Sequence, residues 1–190
     1  MSTNVEIEIK SKLSKQDYEL LLKAFPNHKP YTQINNYFDT KDREISRRDC
    51  GLRIREKNGH FELTLKIPNT EGKLEINQQI PNKVAKSMLD NKAFVDGEVK
   101  YYLESFLGIN TNLIFNLGKL ITDRFDLEYK NGLISIDKSI YNNITEYEIE
   151  IEDISEIEAE KHLKEFLSEF GIEYKKSPDT KLKRFLNSLD

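Results

Sequence analysis

The sequence predicts an α+β domain built on antiparallel strands, of which a barrel is one form. Three observations predict it. About eight segments alternate apolar and polar residues with a period of two, as half-buried strands do. Two Asn-Gly pairs, Asn58-Gly59 and Asn131-Gly132, separate neighbouring segments and match tight hairpin turns. Stretches with helical spacing are inserted among the strands rather than set apart as a second domain.

Residues 5–10 read as the first strand, with Val5, Ile7 and Ile9 on one parity. Ser14 is a cap for a helix over 15–24, whose stripe is Tyr18, Leu21 and Leu22, and Pro26 and Pro30 end it. Strands follow at 32–39 and 52–56, then at 61–67 after the Asn58-Gly59 turn. Glu71-Gly72 turns the chain into a strand at 74–80. Pro81 opens a helical stretch over 82–108, predicted as two helices broken near Gly97. Strands resume at 112–117 and 119–129, then at 133–140 and 145–152. Ser155 caps a helix over 156–170, stopped by Gly171. Ser177-Pro178 introduces a short last helix ending near Leu189.

The bulk numbers narrow the function. The 190 residues suit one domain, 1–190. Charged residues make up 33 % and apolar residues 37 %, yet clean alternation and frequent Tyr and Phe argue against disorder. A net charge of −4 gives no reason to expect a nucleic-acid partner. The one cysteine, Cys50, excludes an intrachain disulfide and a cysteine metal cluster. No signal peptide or membrane span is visible, so a cytoplasmic protein with no membrane partner is expected.

Sorting each strand by parity shows where the charge goes. Glu6, Glu8 and Lys10 share a face, as do Arg53 and Arg55, and Glu62, Thr64 and Lys66. Lys73, Glu75 and Asn77 follow, then Thr122, Arg124, Asp126 and Glu128, then Ser135 and Asp137. The last strand aligns Glu146, Glu148, Glu150 and Glu152. One such face is ordinarily a wet sheet surface. Seven together are not ordinary, because acids crowd the terminal strands and bases the middle ones, whereas a solvated face interleaves signs. Four aligned glutamates repel unless cations lie near. If the sheet closes, Glu6 and Glu8 approach Glu148 and Glu150 and make a hard-oxygen site suited to Mg²⁺ or Mn²⁺. The other wall then carries Lys10, Arg53, Arg55, Lys66 and Arg124, which suit phosphate oxygens. The apolar faces point outward under the helices.

At this point the motifs resemble a known family. Glu6-Ile7-Glu8-Ile9-Lys10 is similar to the N-terminal ExExK signature of the CYTH superfamily of triphosphate tunnel metalloenzymes. Asn36-Tyr37-Phe38-Asp39-Thr40, Leu52-Arg53-Ile54-Arg55, Leu63-Thr64-Leu65-Lys66 and Glu148-Ile149-Glu150-Ile151-Glu152 follow in the family's order, with Arg124 and Lys181 where it keeps basic residues. The resemblance implies a closed eight-stranded antiparallel barrel with a charged interior and surrounding helices. It implies triphosphate contacts from Lys10, Arg53, Arg55, Lys66, Arg124 and Lys181, and Mg²⁺ or Mn²⁺ held by Glu6, Glu8, Glu148 and Glu150. Glu146, Glu152, Glu62, Glu75 and Asp137 are secondary lining candidates. The last helix, 178–189, resembles a plug that delivers Lys181.

The leading expectation is metal-dependent hydrolysis of a small triphosphate, with inorganic tripolyphosphate ahead of thiamine and nucleoside triphosphates. Lys10 then acts on the reacting phosphate, and Glu8 orients the water. Two other readings use the same residues: cyclisation of ATP to cyclic AMP, and a polyphosphate- or nucleotide-binding module without turnover. The outward apolar sheet face is compatible with a homodimer. Cys50 reads as structural, and His28, His60 and His162 as surface residues. The acidic run 152–160 reads as a solvated helix start, which the helix dipole favours. Lys183 and Arg184 read as solvent-facing, and Lys175 and Lys176 fit either a solvated or a site role.

Overall fold

Alternating sequence and inserted amphipathic segments resolve into nine antiparallel strands and five helices in a computed structural model, which describes residues 2–70, 72–177 and 179–189. The strands are β1 (Ser2–Glu6), β2 (Glu8–Leu13), β3 (Tyr31–Asp39), β4 (Gly51–Lys57), β5 (His60–Pro68), β6 (Lys73–Ile80), β7 (Phe115–Tyr129), β8 (Gly132–Tyr141) and β9 (Ile144–Glu152). The helices are α1 (Lys15–Ala24), α2 (Asn82–Leu89), α3 (Glu98–Tyr101), α4 (Glu156–Glu169) and α5 (Lys181–Asn187). The expected α+β class holds. No helix among the described residues is long and apolar enough to cross a membrane.

The chain divides into two compact units, one of residues up to Val5 with Gln33–Leu120, the other of Glu6–Thr32 with Ile121 onward. In the first unit the strand order is β1-β6-β5-β4-β3. Its apolar parity, Leu52, Ile54, Leu63, Leu65 and Ile76, is fully buried and joins Ala85 and Met88 of α2 and Val99 of α3 in one core. In the second unit the order is β7-β8-β9-β2. Phe125, Ile134, Ile136, Ile149 and Ile151 pack there against Leu21 of α1 and Leu163, Phe166 and Leu167 of α4. Burying each such side chain favours the fold by about 1.5–3 kcal/mol. In both units the helices take the apolar faces, so the charged parities are left for the other side of each sheet.

Local chemistry explains the helix ends. Ser14 and Asp17 form a reciprocal capping box at α1. Ser155 Oγ accepts from Glu158 N at 3.2 Å at the start of α4. Asp39 accepts from the backbone N–H groups of Thr40, Ile45 and Ser46 at 2.8, 2.9 and 3.0 Å, so it organises the turn after β3.

Several expectations are corrected. The first strand breaks at Ile7, whose carbonyl accepts from Asp153 N at 3.1 Å as β2 enters its register with β9. The two strands expected at 112–117 and 119–129 are one, β7, which passes through Gly118 at φ 135°. Residues 111–113 form a 3₁₀ turn instead. The 82–108 stretch is helical only in α2, in α3 and in a π turn over Tyr102–Phe106. The last helix starts at Lys181, after the cap Thr180, whose Oγ1 accepts from Lys183 N at 3.2 Å. Glu71 and Pro178, assigned to a turn and a helix start, lie outside the described residues. His162 is buried, with Nδ1 2.7 Å from Asp153 Oδ2 and its ring edge-on to Tyr129. A histidine on the inner face of α4 is hidden from a reading that treats it as polar and therefore exposed.

Gly97 is required by its surroundings. Its φ is 141°, and a Cβ there would land on the Gln78 amide, which donates to Asp96 O at 2.9 Å. Gly97→Ala should lower stability by about 1–3 kcal/mol, read as a shift of the urea midpoint. An unchanged midpoint would show that the loop relaxes freely.

Candidate functional site

The charged parity of the second unit is a buried knot of ions. Antiparallel register sets it. Lys10 of β2 lies opposite Glu150 of β9, Glu148 opposite Asp137 of β8, and Asp137 opposite Arg124 of β7. Lys10 Nζ is 2.7 Å from Glu150 Oε1 and 2.8 Å from Glu8 Oε1. Arg124 donates from Nε to Asp137 Oδ1 at 2.7 Å and from Nη2 to Glu150 Oε2 at 2.6 Å. Lys181, the first residue of α5, donates to Glu150 Oε1 at 2.8 Å and Asp137 Oδ2 at 2.5 Å, and also pairs with Glu148. Serine and threonine side chains also lie on this face. Thr122 and Ser139 bond each other at 3.1 Å, and Ser135 donates to Asp126 at 2.8 Å.

Burial makes these pairings consequential. The side chains of Asp137 and Glu148 are 0 % and 2 % exposed. Burial alone would push Glu150 up, but Lys10, Lys181 and Arg124 outweigh it and hold its carboxyl well below the usual range. For Glu148, burial and the neighbouring Glu150 prevail over Lys181, Lys10 and Arg184, so its carboxyl is pushed up. Burial would lower Lys10, yet Glu150, Glu8 and Glu148 hold it well above its ordinary value. The ammonium of Lys181 and the guanidinium of Arg124 are held up in the same way, by Asp137 first and then by the glutamates.

One oxygen each from Asp137, Glu148 and Glu150 falls within 4.8 Å of the others, close enough to share a cation. Three hard carboxylate donors suit Mg²⁺ or Mn²⁺. Glu148 and Glu150 belong to the sequence-derived metal set. Asp137 had only secondary rank there, and its place opposite Glu148 follows from the β8–β9 register rather than from any motif. Glu8 sits beside this group on Lys10, and Glu6 ends β1. Glu152 is exposed. Arg184, read as solvent-facing, instead pairs with Glu146 and Glu148, whereas Lys183 is exposed as expected.

The first unit carries its own polar face. Lys66 Nζ is 2.7 Å from Glu75 Oε1, and Arg55 Nε donates to Asn35 Oδ1 at 3.2 Å. Burial opposes ionisation of Glu75, but Lys66 and Arg53 bring its carboxyl down to about 2. Thr64 donates to Asn77 at 2.8 Å. Arg53 Nε is buried with no hydrogen-bond partner among the described residues. Glu62 accepts from Gln79 at 2.7 Å near the surface. Cys50 is buried and free, with burial pushing its thiol up, which suits a structural thiol rather than a nucleophile.

The contrast between the two glutamates of β9 has a measurable consequence. Glu148→Gln removes a charge that the fold holds at a cost, so the metal-free protein should keep or raise its melting temperature. Glu150→Gln should cost about 3 kcal/mol, because three buried cations lose their shared anion. Thermal unfolding in EDTA checks both, and equal losses would contradict the asymmetry.

The chain is similar to known proteins along nearly its whole length. The CYTH domain profile matches residues 4–186. YjbK of Bacillus subtilis, provisionally named a triphosphatase, is 37 % identical over 187 residues, covering 97 % of this chain and 96 % of that one. A crystal structure from Bacillus halodurans, provisionally described as an adenylate cyclase, superposes with a TM-score of 0.88 at 35 % identity, covering 97 % and 99 % of the two chains. A Hippeastrum protein described as having a dominant triphosphatase activity shares the fold, with a TM-score of 0.82 at 24 % identity and 96 % and 95 % coverage. The chain therefore belongs to the CYTH family.

Proposed function

We propose that the chain is a divalent-metal-dependent triphosphatase that hydrolyses a terminal phosphoanhydride, with inorganic tripolyphosphate as its preferred substrate. The observation that carries this reading is the buried knot, in which Lys10, Arg124 and Lys181 are matched to Glu150, Asp137 and Glu148. A site that only bound an anion would gain little from so many buried carboxylates. A site that only bound a metal would gain little from the cations. Together they suit a ligand that arrives as a metal–polyphosphate pair.

In this reading Asp137, Glu148 and Glu150 hold the cation, with Glu6 and Glu8 as further oxygen donors. A bound Mg²⁺ or Mn²⁺ supplies positive charge against the phosphate oxygens. Lys10, Arg124 and Lys181 leave their carboxylates and bind the phosphate chain. Their charge then stabilises the transferring phosphoryl group, the main demand of phosphoryl transfer. Glu8, paired to Lys10, orients the attacking water. Arg53, Arg55 and Lys66, on the polar face of the first unit, are assigned to phosphate oxygens, and the chain is read as one domain, 1–190. The partnerless Nε of Arg53 supports that assignment, since a phosphate oxygen would satisfy it. A cytoplasmic setting belongs to the same reading.

The likeness to YjbK favours hydrolysis. The likeness to the Bacillus halodurans structure favours a second reading, cyclase chemistry on ATP. Release of phosphate and pyrophosphate from tripolyphosphate, ATP and thiamine triphosphate, with Mg²⁺, Mn²⁺ and EDTA arms, separates the two. Phosphate release fastest from tripolyphosphate and lost in EDTA is the expected result. Pyrophosphate with cyclic AMP would establish the cyclase. Tight binding with no product in any arm would overturn catalysis.

A further inference from the structure

The short α5 carries two cations on one face, because residues three apart on a helix are neighbours. Lys181 reaches the carboxylate knot. Arg184 does something different. Its Nε donates to the two Glu146 oxygens at 2.9 and 3.0 Å, and its Nη2 lies 2.5 Å from Glu148 Oε2. Its Nη1 donates to the Asp179 carbonyl at 2.6 Å and to Ser177 Oγ at 3.0 Å. One planar guanidinium therefore ties β9 to the helix and to the segment just before its cap, a geometry that lysine cannot reproduce. The side chain of Arg184 is 12 % exposed, against 64 % for Lys183 beside it.

The far end of α5 is fixed separately. Phe185 is fully buried with its ring centroid 6.0 Å from that of Tyr141, and Asn142 donates to Ser188 at 2.8 Å. The end that bears Lys181 is held by the carboxylate partners of Lys181 and by the bonds of Arg184 to β9 and to the Asp179 carbonyl. The two carboxylates that hold Arg184 have different prospects. Glu148 belongs to the group whose oxygens converge for a cation, whereas Glu146 stands two residues along β9 and outside that group. A metal that engages Glu148 weakens one hold on Arg184 and leaves the other.

We propose that Arg184 is a positioning residue: with Glu146 it latches α5 to β9, and so keeps Lys181 in the site when Glu148 turns to a metal. The effect on substrate rests on the triphosphatase reading. The latch itself does not, so the two are measured separately. Amide hydrogen exchange of residues 180–189 in the full chain reads the latch. Without metal, Arg184→Ala should speed exchange there by about tenfold or more while β8 and β9 exchange as in the wild type. Glu146→Gln should exchange as the wild type without metal and faster once Mg²⁺ is added. Wild-type exchange in Arg184→Ala would overturn the latch. So would a Glu146→Gln protein that binds Mg²⁺ by calorimetry with no change in exchange. Arg184→Lys, which keeps the charge and loses the fork, serves with the same expected direction if the alanine variant does not fold.

Positioning through Lys181 is read by a double-mutant cycle on tripolyphosphate affinity in Mg²⁺. Lys181→Ala and Arg184→Ala should each weaken binding about tenfold, and the double variant should be no weaker than Lys181→Ala alone. Additive losses would make Arg184 an independent contact and overturn the positioning role. A wild type that does not bind tripolyphosphate would overturn the triphosphatase reading and with it the role at the substrate, while exchange still decides the latch.

Discussion

Glu150 is the constraint on which the second unit depends. It is one carboxylate shared by three cations, Lys10 from β2, Arg124 from β7 and Lys181 from α5. Taking charge out of water costs several kcal/mol per ion, and a buried pair recovers that cost only with close geometry and full hydrogen bonding. Here distances of 2.6–2.8 Å from three directions provide it. The same shared anion ties β2 and β7 to β9 across the charged face and sets where the first residue of the last helix lies. An apolar core in place of the knot would avoid the cost of burying charge, so stability alone gives no reason for the knot, and a bound ligand does.

The neighbouring Glu148 shows the other side of that bargain. It sits beside Glu150 on the same strand face, and burial together with Glu150 pushes its carboxyl up despite Lys181 and Arg184. Glu150 is therefore held as an anion more firmly than Glu148, although Glu148 is also paired, with Lys181 and Arg184. A cation placed between Asp137, Glu148 and Glu150 would relieve the crowding of negative charge, and an entering polyphosphate would take over the cations set free. Ligand binding becomes an exchange of partners inside a site that is already ordered, which limits the reorganisation left for the reaction itself.

Much of this was legible in the sequence, and the reason is periodicity. A strand separates its residues by parity, so the alignment of Glu146, Glu148 and Glu150 against Tyr147, Ile149 and Ile151 is visible without coordinates. The α+β class, the cap of α1 and most strand limits follow from the same pattern. Register is what the pattern lacks. Asp137 could not be ranked above Glu152 until β8 was set against β9, where the one is buried and the other ends the strand at the surface. Arg184 was misread because a seven-residue helix has too few turns to show which face is covered. His162 was misread because its partner, Asp153, lies at the end of a strand rather than on its own helix. The break at Ile7 was invisible because alternation continues unbroken through it.

The central claim is that metal and polyphosphate enter this knot as partners. Calorimetric titration of tripolyphosphate into the full chain, in Mg²⁺ and again in EDTA, tests it most directly. The account predicts binding at least about tenfold tighter with Mg²⁺, since without the cation the phosphate must strip Lys10, Arg124 and Lys181 from carboxylates that gain nothing in return. Equal or tighter binding in EDTA would contradict it, and would show that the carboxylates hold the cations in place rather than a metal.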